Sequence, residues 1–308
     1  MKILITGGTY GIGKGVAKIL AGQDNQNHEV IILDKSRELG LANIRELKSI
    51  TKNNKISFIL CDLSKLSDVK NAINEIENQH EFLDGLFINA GIGYAEKRVE
   101  TEEGMDSHFQ INYLSQFLLT LNLLALLEKS EKGGRIVFNV FQGEDIFWDD
   151  LQLKNKWSYE KGINQAMVAK RMFYLKLHAL YNQVDRPRIS FFGFIIPKKV
   201  WSNQVNIIPG YFKLIVTVMK LFGAFISIEK CGQIASPLFT ETQEESLNKS
   251  GKLIAWDKDK FIEIKEEPVV LNLANQDRLW KASLELCNDK KTIQISQSLF
   301  MQTHKCPK

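Results

Sequence analysis

A cluster of glycines near the start of the chain has the residue types and spacing of a phosphate-binding loop. The segment Thr6-Gly7-Gly8-Thr9-Tyr10-Gly11-Ile12-Gly13 follows the short apolar run 2–6 and precedes a helical pattern of apolar residues. A tight turn there brings backbone N–H groups and a helix N-terminus against a phosphate, and glycine permits the close approach. The residues expected to line the pyrophosphate of a dinucleotide are Gly7, Thr9, Tyr10, Gly11, Ile12 and Gly13.

An acidic residue at the end of the next apolar run extends this interpretation. Asp34 follows Gly13 by 21 residues and closes the run 29–34. A carboxylate there accepts hydrogen bonds from the adenosine ribose hydroxyls and repels a 2′-phosphate, which favours NAD over NADP. Lys35 and Arg37 leave NADP open, and the structural alternative is a strand-end aspartate that caps the next turn.

The elements around this loop predict a Rossmann-type α/β fold. Apolar strand patterns alternate with helical ones, which indicates a doubly wound parallel sheet. We expect one domain, with a cofactor-binding core at 1–200, a substrate lid at 201–250, and a last strand, helix and tail at 251–308. The predicted strands lie at residues 2–6, 29–34, 56–60, 84–89, 135–140, 188–196 and 251–256.

Composition excludes several other classes of protein. The chain of 308 residues is 44% hydrophobic and carries a formal charge of +4 with no basic stripe, so we expect a folded domain without a nucleic-acid partner. The four cysteines form no CxxC pair and no signal-peptide pattern opens the sequence, which favours a cytoplasmic setting. The scattered histidines predict no metal site.

Further motifs follow the glycine loop in an order that resembles the short-chain dehydrogenase/reductase family. They are Cys61-Asp62-Leu63, Asn89-Ala90-Gly91 and Asn112. Segments 107–120 and 275–283 resemble the retinol dehydrogenase and protochlorophyllide reductase branch. The resemblance runs from residue 2 to residue 288 and implies an enzyme that uses NAD(P) to oxidise an alcohol or reduce a carbonyl.

The resemblance assigns cofactor roles to these motifs. Asp62 is expected to bond the adenine amino group, with Leu63 packed nearby, and Asn89, Ala90 and Gly91 to lie along the cofactor. The alternatives are that Asp62 caps the helix that starts near Ser64 and that Gly91 serves a turn. A loop that reaches the nicotinamide amide is implied at Pro197, Val200 and Ser202.

Family members use a serine to polarise the substrate oxygen, and this sequence lacks it. Aligning the chain on Arg-Ile-Val of the strand 135–140 places Val140 and Phe141 at the serine positions. Gln142 is a possible donor in their place, and a surface-loop glutamine is the alternative.

The family's proton-exchanging tyrosine is also replaced. When the helix that begins near Gly162 is aligned with the family's catalytic helix, Lys170 takes the lysine position and Ala166 takes the tyrosine position. The other register sets Lys161 in the lysine position and puts Trp157 where the tyrosine belongs. The tyrosine is absent in both registers, which puts conventional catalysis in doubt.

Three residues are candidates for the remaining catalytic work. Lys170 is expected to bond the nicotinamide ribose, Asn112 to shape its helix so that a water lies near Lys170, and Tyr159 to act as a substitute acid if residues 151–162 fold back. The alternatives are a solvated lysine and a plain polar position on a helix. A catalytically silent nucleotide-binding protein and a non-redox enzyme in the same pocket remain open.

The segment 207–228 is unusually apolar but is interrupted by Lys213 and Lys220. We expect a core or lid helix over a small lipophilic substrate, with shallow membrane contact as the alternative and no spanning helix. The resemblance allows a homo-oligomer without deciding it.

Overall fold

The computed structural model describes residues 1–23, 28–183, 187–196, 199–200 and 225–303. Its centre is an eight-stranded sheet with the spatial order β10-β9-β6-β5-β4-β1-β2-β3, in which every neighbouring pair is parallel except the antiparallel pair β9–β10. The strands are β1 (Lys2–Thr6), β2 (Glu29–Asp34), β3 (Ile56–Leu60), β4 (Gly85–Ile88), β5 (Gly134–Asn139), β6 (Ile189–Ile195), β9 (Leu253–Asp257) and β10 (Lys260–Ile264). The predicted Rossmann-type sheet is confirmed.

Helices cover both faces of this sheet, as the continuously apolar strands require. They are α1 (Gly11–Ala21), α2 (Arg37–Thr51), α3 (Leu66–Gln79), α4 (Ser107–Glu128), α5 (Tyr159–Tyr181), α6 (Ile228–Ala235), α7 (Pro237–Thr240), α8 (Gln243–Lys249), α9 (Pro268–Leu271), α10 (Leu273–Cys287) and α11 (Lys290–Thr303). A short parallel pair, β7 (Lys199–Val200) with β8 (Phe225–Ile226), lies outside the main sheet.

Alternate residues of each strand enter two separate apolar cores. Ile3 and Ile5 pack with α1, α2, α6 and α7, whereas Leu4 packs with α3, α4, α5 and the C-terminal helices. All three side chains are fully buried. This period of two across a sheet with both faces covered explains why the strands were readable as short apolar runs.

The described part of the predicted lid region, α6 to α8, packs on the same face as α1. The crossing of α1 and α6 is very close, because a Cβ on Gly15 would lie 2.0 Å from the Ile228 carbonyl oxygen and a Cβ on Gly232 would lie 2.2 Å from that of Gly15. Only glycine fits at such a backbone contact. Residues 201–224 of the predicted lid lie outside the described residues.

The C-terminal region contains more structure than the single strand and helix predicted for it. β10 pairs with β9 to make a hairpin edge, and α11 follows α10. Side-chain hydrogen bonds fix α11, with Asn122 Nδ2 donating to Thr292 Oγ1 at 2.8 Å and Trp280 Nε1 donating to Ser296 Oγ at 2.8 Å. The C-terminal helices thereby become part of the α4–α5 core.

Within the described ranges, α4 alone has the length and apolarity of a membrane span, and 89% of its apolar window is buried in the protein. It is the central helix of one core. Residues Gln110–Leu114 form a π-helical turn inside it, a feature that is frequent near functional sites.

Candidate functional site

The glycine loop is a tight turn between β1 and α1. Gly7 and Gly11 have φ angles of +68° and +54°, in the left-handed region that favours glycine. The Gly7 N–H donates to the Leu33 carbonyl at 2.8 Å, which ties the loop to β2. A Cβ on Gly13 would lie 2.3 Å from the Gly7 carbonyl oxygen, so α1 could not begin this close to the loop with any other residue.

The N-terminus of α1 is open at this turn. Tyr10 precedes the helix with extended backbone, its side chain makes no capping hydrogen bond, and it is 49% exposed. The first N–H groups of a helix have no intrahelical partner, and the helix dipole adds partial positive charge there. Gly11, Ile12 and Gly13 supply these groups, so the loop presents donors suited to a phosphate.

Asp34 lies beside this loop at the end of β2. Its Oδ2 accepts from Thr9 Oγ1 at 2.5 Å and from the Thr9 N–H at 3.3 Å, while Oδ1 accepts from the Lys35 N–H at 2.8 Å. Asn43 Nδ2 donates to the Thr9 carbonyl at 2.8 Å and holds the loop from α2. The carboxylate therefore braces the turn, and as a half-buried group with further lone pairs it can still accept from a ligand.

The next predicted pair occupies the turn after β3. Asp62 Oδ1 accepts from the Ser64 N–H and Oγ at 2.9 and 2.8 Å, which is the turn-stabilising alternative to adenine recognition. Leu63 is buried, and its carbonyl accepts from Ser115 Oγ at 2.6 Å. The turn is thus fixed to α4 at the edge of the crevice that the carboxyl ends of β1, β2 and β3 share.

Asn89 connects three strands at the centre of this edge. Its Nδ2 donates to the carbonyls of Thr6 and Gly7 at 3.0 and 3.3 Å, and its Oδ1 accepts from Asn139 Nδ2 at 3.1 Å. Thr6 Oγ1 in turn accepts from the N–H groups of Asn89 and Ala90 at 2.9 and 3.0 Å. One polar network therefore joins the glycine loop to the ends of β4 and β5.

Asn112 acts on the segment that follows Asn89-Ala90-Gly91. Its Oδ1 accepts from the Ile92 N–H at 2.7 Å and its Nδ2 donates to the Ile92 carbonyl at 3.0 Å. A Cβ on Gly91 would lie 3.0 Å from Asn112 Oδ1, so the close approach restricts that position. Asn112 is a clamp inside the π-helical turn, and its predicted relation to a water near Lys170 stays a prediction.

Lys170 is buried on α5, with 2% of its surface exposed. Its Nζ donates to the Asn139 carbonyl at 3.3 Å, which places the ammonium at the end of β5 beside the Asn89 network. Burial lowers the pKa of this lysine from its ordinary value of 10.5 to about 7. Lys161, the lysine of the alternative register, instead donates to the Lys156 carbonyl at the surface.

The positions that the resemblance gives to the family's serine and tyrosine differ in exposure. Val140 and Ala166 are buried, while Phe141 is 39% exposed and Gln142 is exposed. That these positions correspond to the family's serine and tyrosine stays a prediction.

The loop that begins at Phe141 is anchored by Arg171, the residue after Lys170. Its guanidinium donates to the carbonyls of Phe141 and Gly143 at 3.4 and 3.2 Å, and it forms buried ion pairs with Glu266 and Glu267. Sequence reasoning missed this residue because its carboxylate partners lie far away along the chain, Glu266 by 95 positions.

Tyr159 lies at the first position of α5, where its ring meets that of Tyr94 at 5.0 Å between centroids. A hydrogen bond with Glu160 raises the pKa of Tyr159. Eleven residues separate it from Lys170, a rise of about 16 Å along the helix. The fold therefore does not bring Tyr159 to the Lys170 ammonium, and it makes this tyrosine part of an aromatic pair instead.

The segment before α5 packs against the loop after β4. Gln152 Oε1 accepts from the Asp106 N–H at 2.8 Å, and Trp157 Nε1 donates to Asp106 Oδ2 at 3.1 Å. His108, fully buried, bonds the Gly93 carbonyl through Nε2 at 2.7 Å. These bonds hold together the two segments that carry Tyr94 and Tyr159.

The predicted nicotinamide loop and apolar segment lie mostly outside the described residues. Val200 pairs with Ile226 through the backbone of β7 and β8. Pro197, Ser202 and residues 207–224 lie outside the described residues, so the nicotinamide loop and most of the apolar segment stay predictions. No group of three or more His, Cys, Asp or Glu that could hold a metal occurs in the part of the chain that is described.

Comparison with known proteins agrees with this geometry. Residues 1–140 match the family model for short chain dehydrogenases. A WW domain-containing oxidoreductase of Drosophila melanogaster is 32% identical over 296 residues, which cover 92% of this chain and 67% of that protein. The chain therefore belongs to the short-chain dehydrogenase family of oxidoreductases, as its motifs predicted.

Other relatives match over a shorter region. A polyprenol dehydrogenase of Danio rerio is 33% identical over 172 residues, covering 54% of this chain and 52% of that protein, so the match spans about half the relative's length. An uncharacterized protein from Mycobacterium paratuberculosis of known structure superposes with a TM-score of 0.67 at 18% identity, covering 93% of both chains. This second likeness confirms the fold.

Proposed function

We propose that this protein is an NAD-dependent oxidoreductase that acts on the alcohol or carbonyl group of a small lipophilic substrate. The observation that carries the proposal is the glycine loop, with the open N-terminus of α1 on one side and Asp34 on the other. This arrangement offers phosphate donors and a ribose acceptor within one short turn.

The residues present fit a dinucleotide. No side-chain hydrogen bond caps the start of α1, and the buried Lys170 ammonium has one hydrogen bond, to the Asn139 carbonyl, among the described residues. Gly11 to Gly13 would hold the pyrophosphate, Asp34 the adenosine ribose and Lys170 the nicotinamide ribose. When bound, the cofactor supplies or accepts the hydride of an alcohol–carbonyl interconversion.

Asp34 supports NAD rather than NADP. Its carboxylate is held in place by Thr9 and Lys35, so it cannot swing away from a 2′-phosphate without breaking three hydrogen bonds. The basic side chains of Lys35 and Arg37 oppose this preference only from exposed positions. We therefore expect NADH to bind at least tenfold more tightly than NADPH, a difference of about 1.4 kcal/mol.

A lipophilic substrate is supported by the aromatic side chains at the carboxyl edge of the sheet. Tyr94 follows the end of β4 and Phe141 the end of β5, and they are 40% and 39% exposed. Tyr159 packs on Tyr94. Relatives named polyprenol dehydrogenases fit a substrate of this kind, and the apolar segment 207–228 is consistent with it.

A catalytically silent nucleotide-binding protein is the second candidate. The buried Ala166 and the side chains at 140 and 141 leave the site without the family's phenol and serine hydroxyl. A positioned acid typically contributes about 10²–10⁴-fold to a rate, so this absence favours weak or absent turnover unless another group supplies the proton.

Cofactor binding and turnover separate the two candidates. NADH and NADPH are titrated by nicotinamide fluorescence, and absorbance at the nicotinamide band is followed with isoprenoid aldehydes and ketones. Binding with turnover supports the oxidoreductase, binding without turnover supports the silent protein, and no binding of either nucleotide contradicts both. A cytoplasmic setting and a homo-oligomer stay proposals without a structural test.

A control variant isolates the role of Asp34. Asp34→Asn removes the charge and keeps the shape, and we expect it to reduce the preference for NADH about tenfold. Glu38→Gln makes the same change of charge at an exposed position in the first turn of α2. It is expected to leave the preference unchanged, and an equal effect of the two variants would contradict a specific role for Asp34.

A further inference from the structure

The Lys170 ammonium is buried at the end of β5 with a single hydrogen bond among the described residues, to the Asn139 carbonyl. We propose that Lys170 itself exchanges the proton with the substrate oxygen, in place of the tyrosine that this chain lacks. The proposal rests on the proposed oxidoreductase function and names the residue that completes its chemistry.

The Lys170 ammonium is linked to the phosphate loop by a chain of hydrogen bonds. Lys170 Nζ is tied to the Asn139 carbonyl, Asn139 Nδ2 to Asn89 Oδ1, and Asn89 Nδ2 to the Gly7 carbonyl of the phosphate loop. The network therefore holds the ammonium at the same edge of the sheet as the cofactor loop. Tyr159, the alternative acid, begins the same helix about 16 Å away along its axis.

The Lys170 ammonium makes fewer hydrogen bonds among the described residues than it can donate. An ammonium has three N–H donors, and only the bond to the Asn139 carbonyl is present among the described residues, at 3.3 Å. A buried charge with unused donors is costly. Two donors are thus left for ligand oxygens, one for a ribose hydroxyl and one for the reacting oxygen of the substrate.

The side chain at the predicted tyrosine position is small and apolar. Ala166 lies one helical turn before Lys170, about 6 Å along the axis, and is fully buried. Its methyl group donates no hydrogen bond, so Lys170 is the group of this helical turn that can exchange a proton.

Neighbouring charges do not set the protonation of Lys170. His108 of α4 is bonded to the Gly93 carbonyl and Tyr113 of α4 to Ser283, and burial is the cause of the lowered pKa of Lys170. A pKa of about 7 suits both donation and acceptance of a proton near neutral pH. The ionisable pairs that α5 makes with the elements packed against it are Arg171 with Glu266 and Glu267, Tyr174 with Glu266, Lys176 with Asp277, and Tyr181 with Glu128.

In carbonyl reduction the substrate gains a hydride at carbon and a proton at oxygen. The carbonyl carbon accepts a hydride from the nicotinamide cofactor of the proposed function, and the carbonyl π electrons move to oxygen. That oxygen takes a proton from Lys170, whose N–H electron pair stays on nitrogen, leaving a neutral amine and an alcohol. Solvent returns the proton to the amine, and alcohol oxidation runs through the same steps in reverse.

The first test measures the lysine without relying on activity. Protein labelled with ¹³C at the lysine Cε is titrated by NMR, and the Lys170 resonance is assigned by its loss in Lys170→Met. We expect a midpoint near 7, well below the ordinary lysine value of about 10.4. A midpoint near 10 would overturn the proposal, whatever the enzyme turns over.

The second test separates proton exchange from cofactor binding. Lys170→Met is expected to lower kcat by about 10²–10⁴-fold while NADH still binds, with a dissociation constant within about tenfold of the parent value. Lys170→Arg keeps a cation but does not deprotonate, so it should retain binding without restoring kcat near neutral pH. Lys161→Met, at the half-buried start of the same helix, is the matched control and should retain full kcat.

The outcomes distinguish this proposal from the proposed function. If the wild-type protein binds NADH but turns over no aldehyde or ketone, the oxidoreductase function fails while the NMR midpoint still reports on Lys170. If the wild-type protein is active and Lys170→Met retains kcat within about tenfold, well below the usual contribution of a positioned acid, the function stands and the role of Lys170 is refuted.

Discussion

Removing the Asn89 side chain should loosen both the fold and the cofactor loop. Asn89→Ala removes three hydrogen bonds, to the carbonyls of Thr6 and Gly7 and from Asn139, at 3.0, 3.3 and 3.1 Å. At about 1 kcal/mol for each net hydrogen bond, the free energy of unfolding should fall by about 3 kcal/mol. That is a large fraction of the roughly 5–15 kcal/mol that stabilises a typical domain.

The assay is urea unfolding followed by tryptophan fluorescence, together with NADH titration. Asn139→Ala is the matched control, because it removes only one of the three bonds, the one to Asn89 Oδ1, and should cost about 1 kcal/mol. We expect Asn89→Ala to weaken NADH binding more than Asn139→Ala does, since only the former frees Gly7. If the free energy of unfolding of Asn89→Ala lies within about 0.5 kcal/mol of the wild-type value and the variant binds NADH normally, the network does not position the loop.

Three further outcomes follow from named contacts. Gly15→Ala places a Cβ where the Ile228 carbonyl lies and should destabilise the protein by about 1–3 kcal/mol in urea unfolding, and an unchanged midpoint would contradict the close helix crossing. Burial depresses the pKa of Lys170 in the folded state to about 7, so the unfolded chain binds more protons than the folded chain between pH 7 and about 10.4. This lysine therefore makes the free energy of unfolding rise with pH across that window. Lys170→Met should flatten this rise and leave the pH dependence of stability outside the window unchanged. Tyr159→Phe keeps the ring contact with Tyr94, so kcat and its pH profile should survive; loss of kcat would instead identify Tyr159 as a relocated acid.

The sheet could be predicted from sequence because its strands are buried on both faces. Runs such as residues 30–33 are apolar throughout, and their alternation with helical patterns along the chain indicates a parallel arrangement. β10 was missed because it lies at the sheet edge and alternates with exposed residues such as Lys260 and Glu263. α11 was missed because only one stripe of a polar helix is buried, and its partners on α4 are remote in sequence.

The site was only partly predictable for the same reason. The glycine loop, Asp34 and Lys170 carry local patterns or a family resemblance, and the structure brings them to one edge of the sheet. Asn139 has no local pattern, since its importance arises from meeting Asn89 across β4 and β5. Tyr159 was expected as an acid because the separation of two residues along the chain does not give their relative position in the fold. In the structure Tyr159 begins the helix that carries Lys170, so the two residues lie about 16 Å apart along its axis.

The central claim is that the glycine loop holds the pyrophosphate and Lys170 the nicotinamide ribose of one nicotinamide cofactor. A crystal structure of the protein grown with NADH tests it most directly. We predict that the pyrophosphate lies on the N–H groups of Gly11 to Gly13 and the adenosine ribose on Asp34. We also predict that Lys170 Nζ lies within about 3.2 Å of an oxygen of the nicotinamide ribose. A nucleotide bound elsewhere, or one whose nicotinamide ribose lies beyond the reach of Lys170, would contradict it.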